Sequence, residues 1–195
     1  MNETLILASA SPRRKELLKQ IGLSFTVLPS SIEETFEFTE SPQEVVIRLS
    51  LCKARDIALR PGIEDRWIIG SDTVVVCHDQ ILGKPADDKD AAAMLRQLSG
   101  TSHLVVSGFA VIDRLRKRQR CEAVTTKVYF RHLTEEEIAR YIATKEPADK
   151  AGAYAIQGIG ACFVSGIEGS YTNVVGLPLC RLTLTLKELG VPLMI

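Results

Sequence analysis

Two arginines follow a Ser-Pro pair near the start of the chain, in the stretch S-A-S-P-R-R that begins at Ser9. Ser11 and Pro12 are typical of the N-cap and first position of a helix, which places Arg13 and Arg14 in its first turn. Cations there oppose the helix dipole, whereas a bound anion would be stabilised by the dipole, by free backbone N–H groups and by both guanidinium groups. We therefore predict a phosphate-binding segment that includes Ser9. Solvated charges beside an ordinary cap are the alternative.

One carboxylate interrupts an apolar run. Asp72 lies in W-I-I-G-S-D-T-V-V-V, a composition typical of a buried strand. An aspartate buried there must be paired, hydrogen-bonded or bound to a metal, and it could hold a divalent cation and orient a water for attack at phosphorus. The alternative is that it accepts backbone hydrogen bonds at a bulge marked by Gly70. Glu33 and Glu34 offer further carboxylates for a metal, or belong to a solvated loop.

Three lysines and one amide complete the set of candidates. Lys53, Lys84 and Lys150 are cations of the kind a triphosphate needs, although each alone is also typical of a solvated surface. Lys150 lies in D-K-A-G-A-Y-A-I-Q-G, where small residues surround one aromatic ring and one amide. Such a loop suits contact with a flat ligand, and Gln157 could read a base edge through its donor and acceptor. A tightly packed glycine loop under the sheet is the alternative.

Composition and missing motifs narrow the possible classes. Acidic and basic side chains balance at 24 each, which argues against a nucleic-acid partner. The sequence has no P-loop, nucleophile elbow or H-E-x-x-H motif, so phosphate chemistry would rely on a metal and scattered cations. The five scattered cysteines, the start without a leader and the lack of an apolar segment near about 20 residues predict a cytoplasmic protein with no membrane partner. We expect the three histidines to be structural or exposed.

Hydrophobic periodicity and turn signals predict strands mixed with helices. Strands are predicted at residues 4–8, 24–28, 67–76, 81–82, 103–113, 121–131 and 162–167, and a turn at residues 78–80 predicts that the third and fourth form a hairpin. Helices are predicted at 12–22, 41–60, 88–99, 134–146 and 178–189, and capping boxes open those at Ser41 and Thr134. The fold class is therefore α/β, with a long, mixed, twisted sheet covered by helices. We expect one domain over residues 1–195, formed by two lobes around a central cleft.

The motifs, taken in order, resemble those of the Maf family from the first strand to the last helix. Besides S-A-S-P-R-R, the matching strings are I-E-E (32–34), K-A-R (53–55), G-S-D-T (70–73), G-K-P (83–85), D-K-A-G-A-Y-A-I-Q-G (149–158) and N-V-V-G-L-P-L (173–179). Each string is weak alone, but the ordered set is very specific. The resemblance implies a fold related to inosine triphosphate pyrophosphatases, a site in the cleft, and a homodimer. It also implies magnesium- or manganese-dependent hydrolysis between the α and β phosphates of a nucleoside triphosphate.

The resemblance also implies roles for single residues. Asp72 matches the proton acceptor of the family and, with Glu33, would hold the divalent cation. Phosphate-binding positions correspond to Arg14, Lys53 and Lys84, which join Ser9, the phosphate-binding residue predicted from its own segment. These assignments come from the matched motifs and not from the spacing of the residues.

Three positions divide the family by substrate. Here they are Arg13, Thr73 and Gln157, the combination of the branch that acts on dTTP and UTP. The sister branch, which acts on 7-methyl-GTP, carries Trp, Gln and Glu at these places, and this chain differs from it at all three. The resemblance therefore implies a dTTP and UTP pyrophosphatase that removes surplus or modified pyrimidine nucleotides.

Two other functions stay open from the sequence. One is a nucleotide-binding regulator of septum formation that hardly hydrolyses its ligand, and the other is a phosphatase that removes the terminal phosphate. Carboxylates facing a polyanion favour an enzyme over a pure binder, because they gain little unless a metal lies between them and the phosphates.

Overall fold

A computed structural model describes residues 5–35, 40–64 and 66–193 of the chain. Its strands are β1 (Leu5–Leu7), β2 (Phe25–Val27), β3 (Trp67–Cys77), β4 (Gln80–Leu82), β5 (Ser102–Asp113), β6 (Arg118–Phe130) and β7 (Val164–Glu168). Its α-helices are α1 (Pro12–Gln20), α2 (Pro42–Ala58), α3 (Asp88–Leu98), α4 (Glu135–Ala143), α5 (Tyr171–Val175) and α6 (Leu179–Leu189). Short 3-10 turns cover Glu146–Asp149, Ala151–Ala153 and Ile159–Phe163. The predicted α/β class is confirmed.

The strands form one mixed sheet in the order β2-β1-β3-β5-β6-β7, with β4 paired to β3. β1 runs parallel to both neighbours, and Ile6 lies between Thr26 and Ile68. The β3–β4 and β6–β7 pairs are antiparallel. The predicted mixed sheet with long strands is therefore confirmed, and the β3–β4 pair is the predicted hairpin.

Helix starts follow the sequence signals closely. Ser41 Oγ accepts the Glu44 N–H while the Glu44 carboxylate accepts the Ser41 N–H, so the predicted capping box of α2 is present. Thr134 and Glu137 form the same arrangement at α4. Ser11 caps α1 with Pro12 at its first position. These local signals predict helix starts well because all the interacting atoms lie within one turn.

Two segments differ from the prediction. β6 begins at Arg118, three residues before the predicted start at Cys121, because the tight turn ends at Lys117 with φ of 50°. The strand predicted from residue 162 begins at Val164, since residues 159–163 form a 3-10 turn. The helix α5 carries no clear sequence signal, being only five residues long.

The chain divides into two compact units. Unit 1 comprises Met1–Asp72, Ser107–Val124 and Gly176–Ile195, and unit 2 comprises Thr73–Val106 and Thr125–Val175. A core in unit 1 contains Ile6, Ala8, Ala54, Ile57, Ile68 and Ala110. A core in unit 2 is built mainly from Leu95, Leu98, Val128, Phe130, Tyr141, Tyr154 and Phe163. The single domain with two lobes and a central cleft stays a prediction.

Within the described ranges, no helix combines the length and the apolar character needed to cross a bilayer. All five cysteines lie in these ranges and are free thiols.

Candidate functional site

The first part of the candidate site lies where β1 passes into α1, in unit 1. Ser9 is buried at the end of β1, and its Oγ accepts hydrogen bonds from the Ser11 N–H and from Arg14 Nη1, each at 3.2 Å. Arg14 Nε donates to the Gly176 carbonyl at 2.8 Å. The structure thus brings together Ser9 and Arg14, two of the four predicted phosphate-binding residues, and fixes the direction of the Arg14 guanidinium group. Arg13, the next cation, is half-buried.

The charge around Arg14 is unusual for a helix N-terminus. Burial lowers the pKa of Arg14, the Asp72 carboxylate raises it, and the neighbouring Arg13 lowers it further. The first turn of α1 contains no acidic residue to balance the two arginines. Two cations therefore meet the positive end of a helix dipole, a combination that an anionic ligand would relieve.

The second part of the site is a buried ion pair between α2 and β3. Lys53 and Asp72 are 7% and 6% exposed, and Lys53 Nζ lies 2.5 Å from Asp72 Oδ1. The same ammonium group lies 2.7 Å from Glu34 Oε1. Asp72 is therefore buried as a paired carboxylate, as the sequence required, and its described partner is a lysine instead of the backbone groups of a bulge. Glu33 is exposed.

Close packing of α2 on the sheet brings Lys53 to Asp72. A Cβ atom on Gly70 would lie 2.1 Å from the Ser50 carbonyl oxygen, and one on Gly108 would lie 2.6 Å from that of Val46. Only glycine at both places lets the helix backbone approach the strands this closely. The lysine side chain then reaches the strand while its stem stays buried.

A second hydroxyl anchors the segment behind Arg14. Ser71 Oγ lies 2.8 Å from the Gly108 carbonyl oxygen and 3.2 Å from that of Gly176, the same oxygen that accepts from Arg14. Gly176 has φ of 124°, a conformation that strongly favours glycine. Neither contact is visible in the sequence, because Ser71 and Gly176 are 105 positions apart.

The candidate metal ligands are few. Within residues 5–35, 40–64 and 66–193, no three His, Cys, Asp or Glu side chains cluster as a ready metal site. Asp72 and Glu34 converge on one ammonium group, which shows that two carboxylates can face one cation here. This set suits Mg²⁺ or Mn²⁺, since Mg²⁺ commonly uses one or two carboxylates together with substrate phosphates.

The other candidates belong to unit 2. Thr73 is half-buried, whereas Lys84 and Gln157 are exposed. The Gly152 N–H donates to the Gly83 carbonyl at 3.0 Å, which joins the G-K-P segment to the segment that begins at Lys150. Lys84 therefore directly follows a residue that is hydrogen-bonded to the long glycine-rich motif.

The ring of the glycine-rich motif does not face outward. Tyr154 is 5% exposed, its Oη lies 2.8 Å from His103 Nε2, and its ring packs edge-on against Phe130. The tightly packed alternative therefore holds for this side chain, whereas Gln157 of the same motif is exposed. His103 is structural, as expected, while His78 and His132 are exposed.

Fold and site together define a mixed α/β protein in which the N-terminus of α1 carries two arginines and a lysine–carboxylate pair is buried between α2 and β3. Comparison with known proteins makes this more specific. Residues 4–189 match the sequence profile of the family described as Maf-like protein, and the chain belongs to the Maf family. The predicted family membership is therefore confirmed.

Curated relatives cover nearly the whole chain. A protein of Syntrophotalea carbinolica named dTTP/UTP pyrophosphatase is 60% identical over 186 residues, which are 95% of this chain and 84% of the relative. A protein of the same name from Geobacter metallireducens is 52% identical over 189 residues, 97% of each chain. A solved dITP/XTP pyrophosphatase from Mycobacterium abscessus overlaps 96% of this chain and 98% of its own, with a TM-score of 0.45 and 15% identity. That similarity is too low to support a further conclusion.

Proposed function

We propose that this chain is a nucleoside triphosphate pyrophosphatase that converts dTTP and UTP into the nucleoside monophosphate and pyrophosphate. The observation that carries the proposal is the buried Asp72, held by Lys53 close to the guanidinium group of Arg14. The names of relatives that are 60% and 52% identical support the same activity. Modified pyrimidine nucleotides are proposed as further substrates, and the role of the enzyme would be to remove unwanted nucleotides from the cellular pool.

Asp72 is the proposed catalytic residue. Its carboxylate accepts a proton from a water whose oxygen attacks the α-phosphorus, and the bond from that phosphorus to the bridging oxygen of pyrophosphate breaks. Lys53 holds Asp72 in place through their contact of 2.5 Å. Ser9, Arg14, Lys53 and Lys84 bind the phosphates, and the three cations among them neutralise charge that builds up on the leaving pyrophosphate.

A divalent cation, Mg²⁺ or Mn²⁺, completes the proposed site. It supplies Lewis-acid stabilisation of the phosphate oxygens. Asp72 and Glu33 are its proposed protein ligands, and Glu34 joins them because its carboxylate contacts the same ammonium group as Asp72.

Base selection is assigned to Arg13, Thr73 and Gln157. Gln157 suits this role because its exposed amide offers both a donor and an acceptor to a pyrimidine edge. We place the enzyme in the cytoplasm, where five free thiols are compatible with reducing conditions. We also propose a homodimer, whose mass can be measured by light scattering.

The test is pyrophosphate release from a panel of nucleoside triphosphates, with Mg²⁺, for the wild type and Asp72→Asn. We expect turnover of dTTP and UTP, and a loss of nearly all turnover in the variant with nucleotide binding largely kept. The fold should persist because Lys53 retains its contact of 2.7 Å with Glu34. Asp79→Asn is the matched control, since Asp79 is an exposed turn residue with φ of 60°, a conformation that Asn tolerates.

The products distinguish this proposal from the alternatives. Diphosphate and orthophosphate would indicate a terminal phosphatase, and turnover of 7-methyl-GTP alone would contradict the assigned selectivity. Binding without turnover would favour the regulator of septum formation. Full activity of Asp72→Asn would remove Asp72 from its catalytic role.

A further inference from the structure

Glu146 lies in unit 2, outside the proposed site, and its carboxylate accepts three hydrogen bonds. Its Oε1 accepts from the Tyr141 hydroxyl at 2.9 Å and from the Gly160 N–H at 3.0 Å, and its Oε2 accepts from the Ile159 N–H at 3.1 Å. Burial raises the pKa of Glu146, but these bonds outweigh that effect and hold the pKa below its ordinary value. The carboxylate is thus fixed at the turn that follows α4, and it fixes the segment after Gly158.

Tyr141 anchors the other side of the same segment. Its side chain is 1% exposed, and its hydroxyl accepts the Ala155 N–H at 3.2 Å while it donates to Glu146. The two side chains therefore hold residue 155 on one side of Gln157 and residues 159 and 160 on the other. Gln157 itself is exposed at the apex. An apex residue held from both sides has few backbone conformations open to it.

The glycine next to Gln157 packs closely against the Glu146 carboxylate. Gly158 has φ of 82°, and a Cβ atom there would lie 2.6 Å from Glu146 Oε2. The chain turns sharply directly after Gln157 and against the carboxylate. The position of Glu146 and the course of the backbone at Gln157 are therefore coupled.

We propose that Glu146, together with Tyr141, is a positioning residue that sets the pose of Gln157 and thereby the selectivity for the pyrimidine base. This inference rests on the proposed function. It goes beyond that function by assigning selectivity to two side chains that act through Gln157 without touching the nucleotide.

The primary test is Glu146→Gln, which keeps the size of the side chain but replaces one acceptor by a donor that faces an N–H group. We expect KM for dTTP and UTP to rise about tenfold with kcat changed less than about twofold. A mispositioned Gln157 would weaken binding of the base equally in the ground state and in the transition state, and such a loss raises KM but leaves kcat unchanged. Discrimination against the other triphosphates should fall by a similar factor. Glu136→Gln is the matched control, since Glu136 lies on α4, is exposed and pairs with the exposed Arg140 four residues later.

A double-mutant cycle with Gln157→Ala separates positioning from a general structural effect. If Glu146 acts through Gln157, adding Glu146→Gln to Gln157→Ala should raise KM by less than about twofold. Multiplied effects, or a fall in kcat at unchanged KM, would overturn the inference while leaving the pyrophosphatase activity intact. Lack of wild-type turnover of dTTP and UTP would overturn both proposals.

Tyr141→Phe tests the same inference if Glu146→Gln fails to fold. It removes one hydroxyl and two hydrogen bonds but keeps the buried ring. A rise of KM of about threefold for dTTP and UTP, absent in the Gln157→Ala background, supports the inference. Unchanged KM in a folded Tyr141→Phe variant contradicts it.

Discussion

Ion pairs and hydrogen bonds fix the directions of the polar side chains at the candidate site. Lys53 is held between two carboxylates, and Arg14 between a hydroxyl and a carbonyl oxygen. Removing one member of a buried pair costs about 3–5 kcal/mol when the other is left unpaired. Lys53 is the more sensitive position for stability, since both of its carboxylate partners would lose the ammonium group.

His103 should make stability depend on pH. Its ring is 2% exposed, it faces the Tyr154 hydroxyl and the Phe130 ring, and its Nδ1 has no hydrogen-bond partner in the described part of the chain. Burial lowers the pKa of His103 from 6.5 to about 4. His103 therefore binds a proton more readily in the unfolded chain than in the folded protein. The stability that the neutral, buried ring contributes is complete above about pH 6.5 and is lost as the pH falls towards 4.

The expected loss between pH 7 and pH 5 is about 2 kcal/mol of unfolding free energy, measured by urea titration. In His103→Gln this part of the pH dependence should disappear, because the amide does not titrate in that range. His78→Asn, an exposed substitution, should keep it. Equal slopes for the wild type and His103→Gln would contradict the assignment.

At the scale of elements, α2 is the part of the structure that the site depends on most. Its buried face carries Val45, Val46, Leu49, Ala54 and Ile57, and the same face carries Lys53. The helix reaches the sheet because Gly70 and Gly108 leave its backbone room. Hydrophobic packing of this face therefore brings the charged site together.

Gly70→Ala tests the dependence of the site on this close approach. The added methyl group would meet the Ser50 carbonyl oxygen at 2.1 Å and the Ala54 nitrogen at 2.8 Å, both backbone atoms of α2. We expect the variant to lose about 3 kcal/mol of unfolding free energy, and turnover to fall because α2 must move with Lys53. Urea titration and pyrophosphate release measure the two effects.

Gly83→Ala is the control for this substitution. Nothing lies within 4 Å of a Cβ atom there, so its stability should change by less than about 0.5 kcal/mol. A Gly70→Ala variant as stable and as active as the wild type would mean that α2 is not held against the strand as described.

At the scale of the whole molecule, the two compact units share their longest strands. The unit boundaries at residues 72–73, 106–107 and 124–125 fall within β3, β5 and β6. Acidic and basic side chains are equal in number, so the positive charge of the site is a local feature. The cysteines are likewise spread over both units, which makes their reactivity a measure of the whole fold.

Thiol labelling should separate the five cysteines into two groups. Cys162 and Cys180 are exposed and should react quickly, whereas burial raises the pKa of Cys77 and of Cys121. Cys52 is half-buried and should react slowly as well. We expect two fast thiols in the native protein and five in urea, and the Cys162→Ser/Cys180→Ser variant should lose the fast phase. A fast phase larger than two thiols would contradict the described burial.

Sequence signals predicted most of the fold and part of the site. Capping boxes at Ser41 and Thr134 and the hairpin after β3 were predicted because each depends on atoms a few residues apart. The apolar composition of the strand around Asp72 was enough to predict that this carboxylate has a partner, since a buried charge cannot stay unpaired. The start of β6 was missed because the turn before it is tighter than expected and ends at Lys117, and α5 was missed because five residues carry little periodicity.

The sequence by itself determined the family, the order of the elements and the residue types available for phosphate chemistry. Only the tertiary structure decided which of them meet: that Lys53 pairs with Asp72 and Glu34, and that Gly176 holds Arg14. The sequence offered no reason to single out Glu146, which is now linked to the segment around Gln157. Local signals act within a turn of chain, whereas these contacts join distant positions and depend on how closely helices and strands pack.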